Sequence, residues 1–262
     1  MPETTAILPL LLAGVSAGAV SAAAVAAYSV FSPRCQFWAP VIRGIPQRDG
    51  VALTFDDGPD AEVTPRILDI LAAHNAPATF FVIGQHARAH PEVVRRIAAA
   101  GHVVGNHSLD HEHFGVNRNR AYWREQVNET QKIVGDITGH PPLLFRPPMG
   151  FKTRSLAAAV KEAGLPIVGW SVRGYDTRGV SAEKLASRLV RRSAGHDIVL
   201  MHDGRDPHRK KGVGQGQTAE ALPGVLAGLA EKKLHVLPLV EALLHKELAG
   251  KELADAIQSG RS

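Results

Sequence analysis

Short apolar runs alternate with longer stretches of helical period through most of this chain. Val51-Ala52-Leu53-Thr54-Phe55 is closed by Asp56-Asp57-Gly58-Pro59, and a run of that length bounded by turn residues predicts a buried strand. Strand candidates begin near Val51, Ala78, His102, Leu143, Ile167, Asp197 and His235. Helix candidates run from Thr64 to His74, Pro91 to Ala100, Arg120 to Thr138, Arg154 to Ala163, Ala182 to Ser193 and Thr218 to Lys232. Strands alternating with helices predict a parallel, barrel-like α/β domain, and about 190 residues suffice for one well-buried core. The eighth strand and helix of a full barrel are missing.

The pattern changes at both ends. Thr5 to Pro33 carries no charge, and Ala6 to Val30 is dominated by Ala, Val and Leu. As a helix that stretch would measure about 37 Å at 1.5 Å per residue, enough to cross a hydrocarbon layer of about 30 Å. A membrane anchor is the first expectation for residues 1–33. A cleaved signal peptide is the alternative, since Ala22-Ala23-Ala24 offers a small-residue site, although Met1 to Thr5 lacks a positive n-region. Arg34, Arg43 and Arg48 follow the segment, and the positive-inside tendency would put them in the cytoplasm. Residues 34–48 read as a linker, 49–240 as the folded α/β domain, and 241–262 as a charged terminal helix or tail.

The formal net charge is +5, which suits an anionic partner such as a membrane surface or wall polymer. Arg191-Arg192, Arg209-Lys210-Lys211 and Lys232-Lys233 are short and lack interleaved aromatics, so they read as solvated faces and nucleic acid is no candidate. No obligate protein partner is implied. Cys35 is the only cysteine, so no intramolecular disulfide forms.

The candidate chemistry gathers where strands end. Asp56 and Asp57 sit at a strand's C-terminal mouth, where α/β folds assemble their sites. Adjacent carboxylates repel unless a cation or proton lies between them, which suggests a metal with a general base; a plain turn is the bland alternative. His107 and His111 are four apart, a spacing that puts both imidazoles on one face of a helical turn where they can share a divalent ion. His113 competes for that role, but it needs an extended backbone to face the same ion as His111. Leu143 to Gly150 ends an apolar run in Arg146, and Ile198 to Gly204 ends another in His202 and Asp203. Four strand ends therefore carry Asp-Asp, His, Arg and His.

Taken together, Thr54 to Pro59, His107 to His111, Arg146 to Gly150, part of Trp170 to Asp176, and Leu200 to His202 resemble the five motifs of the polysaccharide deacetylase family, the NodB homology domain of carbohydrate esterase family 4. The resemblance covers about Asp49 to Val240. It implies a distorted (β/α)7 barrel and a metal-dependent hydrolase that removes N-acetyl groups from amino sugars of a polysaccharide or glycolipid. It further implies one divalent metal, zinc foremost with cobalt, nickel or manganese as substitutes, on Asp57, His107 and His111. Asp56 would be the general base, Arg146 its ion-pair partner, and the Met149 backbone N–H an oxyanion donor. His202, oriented by Asp176, would be the general acid, and Leu200 would line the acyl pocket. An extracytoplasmic catalytic domain, anchored or secreted, follows from the same likeness.

The fourth motif departs from the family pattern. Many relatives carry Asp-x-x-Asp-Trp where this chain reads Arg173-Gly174-Tyr175-Asp176-Thr177. The lost Trp removes a groove wall, and Arg173 brings a charge that can meet an acidic group on the substrate; Arg173 and Tyr175 are therefore substrate-binding candidates. Phe55 and Trp170 read as core. Two other functions are consistent with these residues: a non-catalytic glycan-binding protein, and non-haem iron chemistry on the His-His-Asp set, which leaves Asp56, Arg146 and His202 without roles.

Overall fold

The computed structural model describes residues 24–113, 115–208 and 216–244. Its framework is a parallel sheet in the order β4-β3-β2-β7-β6, built from β2 (Gly50–Asp56), β3 (Ala78–Val82), β4 (Val103–Asn106), β6 (Val172–Arg173) and β7 (Ile198–His202). A short strand β8 (His235–Val236) also pairs with β2 at its opening residues Gly50 and Val51. β1 (Val41–Ile42) pairs with β5 (Ile167–Val168). Phe145 joins the two groups, bridging Asn106 on one side and Ile167 on the other.

β2 lies at the centre of this array and all seven of its residues are buried, as its continuous apolar run predicts for a strand covered on both faces. Phe55 stacks on Phe80 with ring centroids 4.9 Å apart. The helices α1 (Val63–Ala73), α3 (Pro91–Ala99), α6 (Ala182–Arg192) and α7 (Gln217–Glu231) pack outside the strands. α1 buries Thr64, Ile67, Leu68 and Leu71, the stripe that a period of 3.6 places on one side. α4 (Arg120–Thr138) and α5 (Arg154–Glu162) cover a further cluster around Trp123, Phe145 and Ile167. Asn119, Thr153 and Ser181 cap α4, α5 and α6 with side-chain oxygens, and Gly139 ends α4 in the left-handed region.

The six helices read from the sequence match these boundaries within a residue or two. The sequence pattern did not predict α2 (Gly84–Ala89), β1 or β6, all too short to show a period. Leu143 opens no strand; only Phe145 forms bridges there. Residues 34–48 are more than a linker, because they supply β1 and the buried Ile45. Most of the proposed anchor, residues 209–215 and the tail beyond residue 244 lie outside the described residues. Among the described residues no helix is long and apolar enough to cross a membrane.

Residues 24–31 are helical, and the chain just after them is fastened to the domain. Phe31 meets Phe151 edge to face at 5.1 Å. Lys152, buried, donates from Nζ to the carbonyls of Ser32 (3.2 Å), Pro33 (3.4 Å) and Gly150 (2.9 Å). Burial pulls its ammonium down to about 8, because the carbonyls stand in for water without supplying a counter-charge.

Candidate active site

Strand register assembles the site. Asp56 lies opposite His202 in the β2–β7 pairing and opposite Phe81 in the β2–β3 pairing. Val82 lies opposite Asn106, and the His107 N–H donates to the Val82 carbonyl at 3.0 Å. One step further round, the Arg146 N–H donates to the Asn106 carbonyl at 2.9 Å. Each residue read as a strand ending thus arrives at the same mouth. Asp56, Asp57, His107, His111, Met149, Asp176, Leu200 and His202 all line one pocket of ≈ 110 Å³, room for a few waters at about 30 Å³ each or for an acyl amide.

Asp57, His107 and His111 form a tight buried triangle. Asp57 Oδ1 stands 3.4 Å from His107 Nε2 and 3.3 Å from His111 Nε2. Those separations fit a tetrahedral ion with bonds of about 2.0–2.2 Å. Asp57 Oδ1 is also buried without a hydrogen-bond partner, an orphan a cation would satisfy. The His107 Nδ1–H donates to the Arg146 carbonyl at 2.8 Å, which fixes the tautomer and leaves Nε2 as a ligand. Burial alone would raise the Asp57 carboxyl, but His111 beside it, together with His107, holds it far below the usual carboxylate range. The three residues can therefore hold one metal ion.

One part of the expectation is corrected. His107 and His111 do not share a helical turn; residues 107–113 form an irregular loop. Ser108 (φ 67°) and His111 (φ 56°) take left-handed backbone, and side chains supply the hydrogen bonds that a helix would have made. Asn106 Oδ1 accepts from the Ser108 N–H, Ser108 Oγ from the His111 N–H, and Gln126 Oε1 from the Leu109 and Asp110 N–H groups. His113 belongs to a neighbouring group with Asp206, Nε2 to Oδ2 2.5 Å, and Asp206 Oδ1 lies 3.5 Å from His111 Nδ1.

Arg146 is fully buried behind Asp56. Nη1 donates to Asp56 Oδ1 at 2.7 Å and to Thr54 Oγ1 at 2.8 Å, and Nη2 to the Gly169 carbonyl at 2.9 Å. Its guanidinium lies over the Phe81 ring at 4.1 Å and the Trp170 ring at 5.8 Å. Trp170 is 8 % exposed yet lines the pocket, so it is core and wall at once.

Asp176 orients His202. Oδ1 takes the His202 Nδ1 hydrogen bond at 2.9 Å, and Oδ2 accepts from the His202 N–H at 2.7 Å and from Thr218 Oγ1 at 2.8 Å. Burial would lower the imidazole, but Asp176, joined by Asp57 and Asp56, raises it to about 10. A raised value keeps His202 protonated through neutral pH, and the acid form is lost as pH climbs through that value. Asp176→Asn removes the largest raising influence, so the alkaline limb of the kcat/KM profile should fall by about one unit or more. A pH profile of the variant checks this; an unmoved limb would exclude His202 as the titrating acid.

Sequence reasoning missed the supporting residues. Thr218, Gln126 and Arg146's partner Thr54 act through side-chain bonds across 42, 16 and 92 residues, which no local pattern reveals. Asp203 is buried; its N–H donates to the Asp56 carbonyl at 3.1 Å and its Oδ2 accepts from Thr64 Oγ1 at 2.7 Å, and burial pushes its carboxyl up to about 7. It packs so close to the Asp57 turn that a Cβ at Gly58 would stand 2.1 Å from its Oδ2. Asp206 was also missed.

An α/β domain with parallel strands ending round a two-His, one-Asp cluster and a paired carboxylate defines a class of metal-centred site at a sheet's C-terminal mouth. The polysaccharide deacetylase family profile matches residues 43–168. A peptidoglycan-N-acetylglucosamine deacetylase of Bacillus cereus is 39% identical over 62% of this chain and 59% of its own length. A second from that organism is 34% identical over 75% of this chain and 89% of its own. A solved peptidoglycan N-acetylglucosamine deacetylase superposes with a TM-score of 0.72 at 33% identity, over 78% of this chain and 92% of that one. The chain belongs to the polysaccharide deacetylase family. It spans under two thirds of the first relative's length.

Proposed function

We propose that this domain hydrolyses the N-acetyl amide of an amino sugar in a glycan, as the names of its relatives state for them. The observation that carries the reading is that Asp56 and His202, partners in the β2–β7 register, share one pocket with the Asp57–His107–His111 triangle, Asp56 Oδ2 standing 3.7 Å from His107 Nε2. A divalent ion held by the triangle, zinc by the donor set of two imidazoles and a carboxylate, would lower the pKa of water and polarise the acyl carbonyl.

The remaining work falls to the chain's own groups. Asp56, ion-paired with Arg146, takes a proton from the attacking water. The new C–O bond forms at the acyl carbon, and the Met149 N–H faces the charge developing on the carbonyl oxygen. His202 then gives its proton to the sugar nitrogen as the C–N bond breaks, so acetate and a free amine leave. Leu200 and Trp170 supply the apolar wall beside the acyl methyl. The strands joined through Phe145 would form the wall of a distorted barrel that fixes these positions, and the apolar stretch before residue 24 would tether the domain on the extracytoplasmic side.

Acetate release tests the reading. The full chain, metal-stripped and then reloaded with zinc, cobalt, nickel or manganese, is offered N-acetylated chitooligosaccharides and peptidoglycan fragments. Release from at least one of these, dependent on reloading, is expected. Turnover restored only by iron with oxygen would assign the site to oxidative chemistry, and binding with no acetate from any reloaded form would make the domain a glycan-binding protein.

A further inference from the structure

The interior of the pocket is acidic, but its outer rim is the reverse. β6 ends at Arg173, which the β6–β7 register sets beside Leu200. The chain then turns through Tyr175, held in left-handed backbone at φ 63°, a conformation that costs a bulky residue energy and persists where a site demands it. The Arg173 guanidinium lies over the Tyr175 ring at 4.4 Å and that of Arg178 at 4.9 Å. Arg188 pins the turn by donating to the Gly174 carbonyl at 2.7 Å.

Two grooves open from this rim. One of ≈ 450 Å³ runs past Trp170, Arg173 and Tyr175 to Arg34, Arg43 and Arg192; the other, of ≈ 520 Å³, runs from Tyr175 and Arg178 to Arg191 and Arg192. Both share walls with the ≈ 110 Å³ inner pocket, so a ligand whose amide enters the pocket places its bulk in them. Among the described residues none of Arg34, Arg43, Arg173, Arg178, Arg191 and Arg192 makes an ion pair with a carboxylate. Of the arginines elsewhere among the described residues, Arg88, Arg96, Arg118, Arg120 and Arg124 have such partners, whereas Arg48, Arg66, Arg95, Arg154 and Arg205 have none but line neither groove; what sets the rim apart is that its unpaired guanidiniums converge on one concavity. The Tyr175 phenol registers the resulting field, lowered from its ordinary value by the Arg173 hydrogen bond and charge and by Arg192 and Arg178. Arg34 comes from a segment distant in sequence and is brought to this rim by the Lys152 carbonyl cage on Ser32 and Pro33. Guanidiniums left unpaired at a concave surface are suited to bidentate capture of an oxyanion.

We propose that the groove around Tyr175 binds an oxyanion, carboxylate or phosphate, borne by the glycan next to the sugar whose acyl amide enters the pocket. The proposal rests on the hydrolytic reading of that pocket and makes the preferred substrate an anionic glycan. Arg191-Arg192, which the sequence alone presents as a solvated face, becomes part of the site.

The test uses the full chain loaded with zinc and three N-acetylglucosamine tetramers: neutral, carrying a carboxylate ether on one sugar, and carrying a 6-phosphate on one sugar. The ratio of kcat/KM for an anionic over the neutral tetramer should exceed about tenfold at low salt and shrink as ionic strength rises. Arg178→Gln with Arg192→Gln should lower that ratio about tenfold, whereas Arg95→Gln, an exposed charge on α3, should not. The anion that gives the larger ratio identifies the source. No preference in the wild type, or equal loss in the Arg95 variant, would overturn the proposal. If no tetramer releases acetate, the hydrolytic reading fails by itself, and calorimetric binding of the same three tetramers decides the groove: anion preference lost in the double arginine variant supports it, equal binding overturns it.

Discussion

Asp57→Ala, stripped and reloaded with zinc, is expected to retain no stoichiometric metal and to release acetate at a rate lower by a factor on the order of 10³, since several kcal/mol of charge stabilisation disappear with the ion. The reason lies in the triangle. Asp57 Oδ1 is the one anionic corner, 3.3 and 3.4 Å from the two imidazole nitrogens, and two neutral histidines hold a divalent ion far more weakly. The fold should survive, because the carboxylate makes no hydrogen bond from that oxygen and lies beside Asp56. The decisive readout is thermal. Zinc should raise the melting temperature of the wild type by mass action on the native state and leave that of Asp57→Ala unmoved. Equal zinc stabilisation of both proteins would show that the ion sits elsewhere, His111, His113 and Asp206 being the other described cluster able to take one.

That second cluster marks how far the sequence could be read. Asp56, Asp57, Arg146 and His202 were legible because each ends an apolar run, and a run's end in a parallel sheet is a fixed place in space. His107 was legible for the same reason. His111 was found by a spacing argument whose geometry was wrong: four residues apart suggested a helical turn, whereas Ser108 and His111 reach the same point through positive φ angles braced by Asn106 and Gln126. Side-chain braces of that kind leave no periodic trace. Strands of two residues, β1, β5, β6 and β8, are likewise too short to pattern, and of these only β5 and β8 were signalled, by apolar runs after a helix. The Lys152 cage was invisible because its partners are backbone carbonyls, which any sequence supplies.

The residues also separate the competing functions. An iron-oxygen reading needs only the triangle and leaves unexplained why a guanidinium is buried against Asp56 and why His202 is clamped at two points by Asp176. A glycan-binding reading needs the rim and leaves the same groups idle. Both clamps hold a proton-transferring side chain in one orientation, a restriction with consequence chiefly for acid–base chemistry.

Arg146→Met should destabilise the domain by about 3–5 kcal/mol, because truncating one member of a buried pair leaves the other charge uncompensated. Asp56 is 4 % exposed, so loss of the 2.7 Å bond to Nη1 leaves a buried carboxylate without its guanidinium partner. Asp56→Asn should cost less, since an amide oxygen can accept from the same Nη1 while the cation keeps Thr54, Gly169 and both aromatic faces. Urea unfolding of the wild type, the two single variants and Asp56→Asn/Arg146→Met closes the cycle, and a favourable coupling of at least ~2 kcal/mol is expected. Costs shared by both arginine variants, the orphaned carbonyls of Val168 and Gly169 among them, cancel in that difference. All three variants should fall in acetate release by about 10²–10⁴, including the double one even if its stability is largely restored. Strict additivity in unfolding, or an active double variant, would remove Arg146 as the partner on which Asp56 depends. Coupling together with inactivity would instead show a buried ion pair retained for the proton it lets Asp56 accept, at a position where two apolar side chains would have packed more stably.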